Sequence, residues 1–174
     1  MAATILVAYT TRKGSTTAIA LAIAKELEKT GARVTVSDMK AVSSVDGYSA
    51  VVIGAPVYTG KVAREAAFFA RRFRDGLGRI PVAGFVTGIA PVYPKTGDVA
   101  GFIRQLEAAL DPVRPVAVTM FAGNLDVSRM SFIERGMTSL LKVPTGDFRD
   151  WVTIALWARE LPAKLGILPD SGKC

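Results

Sequence analysis

The chain has 174 residues, 22 Lys and Arg against 15 Asp and Glu, no histidine, and a formal charge of +7. The missing imidazole excludes histidine general bases, histidine metal ligands and Ser-His hydrolysis. The sole cysteine, Cys174, excludes an intrachain disulfide and leaves no basis for a cysteine metal centre, so no metal is expected.

Length and a composition that is half apolar imply one globular domain over 1–174. No run of about 18 uncharged apolar residues is present to span a bilayer. The chain opens directly on a strand-like segment, so no signal peptide and a cytoplasmic location are expected. An enzyme of this composition takes its chemistry from a cofactor. The positive balance suits anionic partners: nucleic acid, acidic lipid head groups or an anionic small molecule. The charges are scattered and aromatics are few, so nucleic acid is not expected.

Apolar runs alternate with helical patterns. A strand at 4–9 leads to a helix at 15–30, where Ile19, Ile23 and Leu27 recur at four-residue spacing. Strands follow at 33–37 and 49–54, the latter a continuous run fit for burial on both faces. Then come a helix at 64–75, a strand at 80–87, a helix at 98–110 ended by Asp111-Pro112, a strand at 115–121, and a helix at 148–164 that Pro162 is expected to kink or end. Five strands alternating with helices predict an α/β fold, a doubly wound parallel sheet with helices on both faces. Such sheets bind ligands beyond the carboxyl ends of their strands.

The segment after the first strand, Thr10-Thr11-Arg12-Lys13-Gly14-Ser15-Thr16-Thr17, joins five hydroxyls, two cations and one glycine just where a helix begins. Helix amides and the helix dipole favour an anion there. One glycine among hydroxyls suits a terminal monophosphate rather than a dinucleotide. The alternative is that Thr and Ser only cap the helix. After the third strand, Gly54-Ala55-Pro56-Val57-Tyr58-Thr59-Gly60 carries an aromatic at its crest that can stack on a flat ring or pack on its own loop. After the fourth, Thr87-Gly88-Ile89-Ala90-Pro91-Val92-Tyr93-Pro94 offers amides and a second aromatic on a stiffened connection.

These three loops at one end of a parallel sheet resemble the flavodoxin family, over nearly the whole chain. The resemblance implies strand order 2-1-3-4-5 and FMN as cofactor. It implies that Thr10, Thr11, Gly14, Ser15 and Thr16 hold the phosphate with Arg12 and Lys13 nearby. It places Pro56, Val57, Tyr58, Thr59, Gly60 and Tyr93 about the ring, and Thr87, Gly88 and Ile89 along its polar edge. Cations in or beside these loops, Arg12, Lys13, Lys61 and Arg64, would favour the anionic reduced flavin.

Between the fifth strand and the last helix lies an extra segment, residues 126–143 within an insert of about 123–146. Met130, Ile133, Met137, Leu140 and Leu141 make one apolar helical stripe in it, with Arg129, Arg135 and Lys142 around them. Four readings stay open: a helix docked on the domain's own core, a lid, a homodimer contact, or a helix lying on a membrane. Together with Tyr9-Thr-Thr-Arg-Lys-Gly-Ser-Thr and Val52-Ile-Gly-Ala-Pro-Val-Tyr, the insert resembles the menaquinone-dependent protoporphyrinogen IX dehydrogenase branch of the family. That resemblance implies a flavin oxidoreductase with a porphyrinogen donor and a quinone acceptor, peripheral on the inner face of the membrane. An electron carrier between protein partners, an NAD(P)H-dependent FMN or quinone reductase, and a scaffold that has lost its cofactor are the alternatives.

Overall fold

The computed structural model describes residues 2–168; Cys174 lies outside them. Five strands run parallel: β1 (Thr4–Tyr9), β2 (Arg33–Asp38), β3 (Ala50–Tyr58), β5 (Val82–Gly88) and β6 (Ala117–Ala122). The short β4 (Lys61–Val62) pairs antiparallel with β3. Spatial order is β2-β1-β3-β5-β6, which is the expected 2-1-3-4-5 when the parallel strands are counted alone. The chain steps outward from β1 to β2 and then crosses to β3, so the crevice between the carboxyl ends of β1 and β3 is the topological switch point.

Helices α1 (Ser15–Glu28) and α6 (Trp151–Lys164) cover one face of the sheet. Ile19, Ile23, Leu27, Ile154 and Leu161 pack there on Ile5, Val7, Val52 and Phe85. Helices α2 (Glu65–Arg72), α3 (Arg74–Leu77) and α4 (Val99–Leu110) cover the other, with Phe69, Leu77, Leu106 and Leu110 on Leu6, Val51, Ile53 and Val86. Both faces of β1, β3 and β5 are therefore dry. That is why these strands read as unbroken apolar runs, and why their polar ligands sit only at their ends.

Three boundaries differ most from the sequence expectation. Strand β3 does not stop at Gly54. It pairs with β5 as far as Pro56↔Thr87, then with β4 through Val57↔Val62 and Tyr58↔Lys61. Gly54 is glycine for packing: a Cβ there would lie 2.1 Å from Phe85 Cζ. The helix expected at 64–75 breaks at Phe73, which has φ −110° and ψ 20°. Helix α6 begins at Trp151, not 148, because Asp150 caps it by accepting from Thr153 N at 3.1 Å. It runs through buried Pro162 to Lys164, since a proline this close to the end removes little helical bonding.

The insert is also shorter in helix than its stripe predicts. Strands β7 (Asn124–Leu125) and β8 (Gly146–Asp147) pair antiparallel at its base. A 3₁₀ turn, Val127–Arg129, precedes helix α5 (Phe132–Leu140). Ser131 stops the helix from starting earlier. It is extended, and its side chain and that of Glu134 form a capping box. No helix among the described residues is long and apolar enough to cross a membrane.

Replacing Gly54 by Ala should destabilise the fold by about 1–3 kcal/mol through overpacking against Phe85. Urea denaturation measures this; an unchanged midpoint would show that the ring moves aside freely.

Candidate functional site

At the end of β1, the Thr10 amide donates to the Gly54 carbonyl at 3.0 Å and ties the loop to β3. The Thr11 hydroxyl then accepts from the Gly14 amide at 2.9 Å, curling Arg12 and Lys13 into a turn. Gly14 takes φ +87°, a region that costs an L side chain about 1–2 kcal/mol. A Cβ on it would also lie 2.8 Å from Arg129 Nη1.

Helix α1 starts next, with no side-chain cap and no acidic residue in its first turn. Capping is therefore not what the hydroxyls do. Thr11 serves Gly14, Ser15 Oγ accepts from the Asn124 amide at 3.0 Å, and the buried Thr16 and Thr87 hydroxyls bond to each other at 2.9 Å. The first-turn amides and the positive end of the dipole are left for a ligand or water. A hydroxyl that accepts keeps its own proton to donate, which describes Thr11 and Ser15. This donor set, amides and hydroxyls around an uncompensated helix terminus, fits a phosphate group.

The second wall is the β3–β4 hairpin. Thr59 and Gly60 both have positive φ, 49° and 76°, the signature of a tight two-residue turn. The turn sets Tyr58 at its rim, 42% exposed. The third wall follows β5, where the Ile89 carbonyl accepts from the amides of Val92 and Tyr93 at 3.0 and 2.8 Å. Pro94–Thr96 continues as a 3₁₀ turn. Thr87 and Gly88 form the floor. Gly88 is backed by Met120 and Val57, and its carbonyl accepts from the Gly123 amide at 2.9 Å. Pro56 and Val57 are half-buried parts of the strand rather than of a loop.

All three walls meet the insert. Arg129 Nη1 donates to the Lys13 carbonyl at 2.6 Å. The Tyr58 hydroxyl donates to Glu134 Oε1 at 2.5 Å, and Lys13 Nζ lies 3.4 Å from Glu134 Oε2. The Tyr93 hydroxyl reaches the Leu141 carbonyl at 3.4 Å. Glu134 and Thr138 lie on the more covered side of α5. The opposite side is bare: Phe132 is 92% exposed, Ile133 74% and Leu140 82%. The reading of α5 as docked on the domain's own core is thereby excluded. Met130 lies outside the helix and does not share its stripe.

Charges in the site are paired. Arg12 makes a two-pronged bond to Glu65, at 2.6 and 3.1 Å. This raises the guanidinium and holds Glu65 below the usual carboxylate range. Glu134 is pulled down to about 2, first by the Tyr58 hydroxyl and then by the Ser131 amide, and the same bond pushes the Tyr58 phenol up. Of the four cations expected to favour a reduced anionic flavin, Arg12 and Lys13 are thus compensated locally. Lys61 and Arg64 make no ion pair among the described residues.

Sequence reasoning missed Glu65, Asn124 and Glu134, and it placed Arg129 on the insert but not over the phosphate loop. Glu134 had one signal, its place in the Ser-x-x-Glu capping box. The others approach the loop from positions 53 to 116 residues away, with no local pattern.

A flavodoxin-domain family model matches residues 6–151, and the chain belongs to that family. Among curated proteins it is similar to protoporphyrinogen IX dehydrogenase [quinone] of Escherichia coli K12, 25% identical over 90% of this chain and 93% of that one. Its fold is shared with Fusobacterium nucleatum flavodoxin, solved bound to flavin mononucleotide: TM-score 0.57, 16% identity, 93% of this chain and 98% of the other. It is shared too with rubredoxin oxygen:oxidoreductase of Desulfovibrio gigas, TM-score 0.52, 16% identity, where 93% of this chain spans only 37% of that one.

Both lowered carboxylates lend stability that is fully present above their ordinary value of 4.5 and lost as pH falls towards about 2 for Glu134. With no histidine, no side chain of ordinary pKa titrates between about pH 5.5 and 7. The melting temperature should be level across that interval and drop below pH 4.5, with a smaller drop in Glu134→Gln. Thermal melts of both proteins against pH check this; superimposable profiles would remove Glu134 from the account.

Proposed function

We propose that this chain is an FMN-dependent oxidoreductase that passes electrons from a porphyrinogen-class donor to a quinone while resting on a membrane surface. FMN is the cofactor. The turn Thr10, Thr11, Gly14, Ser15 and Thr16 holds its phosphate, through the hydroxyls of Thr11 and Ser15 and the first-turn amides of α1. Tyr58 and Tyr93 wall its ring, with Pro56, Val57, Thr59, Gly60, Thr87, Gly88 and Ile89 around the mouth. Bound FMN supplies the acceptance and release of electrons.

The protein's part is to bind, orient and exclude water. Glu65 and Glu134, both lowered by their partners, hold no proton near neutral pH, and the chain has no histidine. The residues around the cradle therefore position reactants rather than relay protons.

The observation that carries this reading is the division of the insert into two sides. Its polar side is bonded to all three loops, and its apolar side is open. A helix with Phe132, Ile133, Met137 and Leu140 exposed, followed by exposed Leu141 and flanked by Arg135 and Lys142, suits an anionic lipid surface. A lipid-borne quinone would meet the site there. The similarity to a dehydrogenase named for protoporphyrinogen and quinone supports the same pair of substrates.

The purified chain, incubated with FMN and desalted, should retain the flavin's visible absorbance. Reconstituted protein should then oxidise protoporphyrinogen with a long-tailed quinone in anionic vesicles. The double variant Phe132→Asp/Leu140→Asp should lower that rate about tenfold or more, since two buried apolar side chains are worth several kcal/mol to membrane binding, and leave turnover with a water-soluble quinone unchanged. Retained flavin with no turnover of any quinone would exclude the dehydrogenase and return the chain to the carrier reading.

A further inference from the structure

The capping box at the start of α5 does more than cap. Such a box needs one carboxylate oxygen, to accept from the N-cap amide. In Glu134 that oxygen is Oε2, 2.7 Å from the Ser131 amide. The same oxygen is approached by Lys13 Nζ at 3.4 Å, and the spare oxygen, Oε1, takes the Tyr58 hydroxyl. One side chain of the insert thus joins the phosphate loop, 121 residues away in sequence, to the ring-facing aromatic, 76 away.

Helix α5 does not need these two contacts in order to form. Tyr58, by contrast, gains a great deal from one of them. It sits at the rim of a hairpin whose turn residues both have positive φ, and its hydroxyl has no other partner among the described residues. A ring wall useful for stacking must hold one plane, and an exposed aromatic left free loses that order to rotamer entropy. A charged hydrogen bond is the strong kind and fixes the ring from its far end.

We propose that Glu134 is a positioning residue: a two-armed clasp that sets the plane of Tyr58 for the flavin ring and locks the insert across the phosphate loop. This rests on the flavin reading above. It assigns Glu134 a duty that lies on the insert but acts inside the cofactor site.

Three variants separate the clasp from the cap. Glu134→Gln keeps the shape but has no charge and a single acceptor oxygen for three donors. Tyr58→Phe keeps the ring and removes its hydroxyl. Ser131→Ala weakens the cap and leaves both arms. Loss of a charged hydrogen bond should weaken FMN binding about tenfold in Glu134→Gln and in Tyr58→Phe, read by quenching of flavin fluorescence. The double variant should lose the same tenfold and no more, and both single variants should alter the visible circular dichroism of the bound flavin. Ser131→Ala should stay within about twofold of the parent.

An additive loss of about a hundredfold in the double variant, or parental affinity and dichroism in Glu134→Gln, would overturn the clasp. Without flavin, the clasp predicts faster tryptic cleavage after Arg135 in Glu134→Gln than in the parent; equal rates also overturn it. A parent chain that retains no FMN would sink the flavin reading instead, and the cleavage comparison would still decide whether Glu134 fastens the insert.

Discussion

An amino terminus of a helix that the protein itself leaves uncapped is the constraint on which the rest of the site depends. Helix α1 is 14 residues long and buried along one face, so its dipole and its first-turn amides are fixed in direction by the core. The obvious candidates for capping it are all diverted. Thr11 bonds the Gly14 amide, Ser15 the Asn124 amide, and Thr16 the hydroxyl of Thr87. Each diversion also joins α1 to another element: to its own loop, to the insert, and to β5. The same bonds that withhold a cap from the helix hold the cradle in shape.

The sheet explains why the other walls stand where they do. Burial on both faces allows polar chemistry only where strands end, and parallel strands end together. Strand β3 overshoots its neighbours to Tyr58, and the turn at Thr59 and Gly60 folds it back on itself. The aromatic is thereby raised over the crevice by main-chain hydrogen bonds rather than by a free loop. The insert closes the arrangement from the side. It enters through β7 and leaves through β8, so its base is pinned and only α5 and its flanks reach across.

Much of this was legible in the chain. Strand and helix positions and the hydroxyl-rich turn before α1 follow from apolar runs, four-residue spacing and a cluster of hydroxyls, all of which are local signals, while the strand order came with the family resemblance. The extension of β3 was not legible, because Gly54 and Pro56 are strand breakers by local rules. Only the fold shows that Phe85 occupies the space a Cβ would need at Gly54. The stripe in the insert was visible, but its meaning was not. An apolar helical face reads the same whether it meets a core or solvent, and the exposure of Phe132 and Leu140 decides it. Arg129 over Gly14 and Glu134 beneath Tyr58 are long-range contacts between unlike residue types, which no periodicity encodes.

The pairing of charges changes how a chain of net charge +7 should hold an anion. With Arg12 bonded to Glu65 and Lys13 to Glu134, the cradle presents mainly neutral donors, namely amides and hydroxyls at a helix end. Neutral donors in a partly enclosed loop are screened by salt far less than exposed point charges are. They also hold a phosphate by direction rather than by attraction at a distance. Lys61 and Arg64, which make no ion pair among the described residues, lie outside the cradle, where a long-range field would favour a negatively charged substrate or surface. On the proposed reading, cofactor retention and partner attraction would be carried by different groups, and a change in one need not disturb the other.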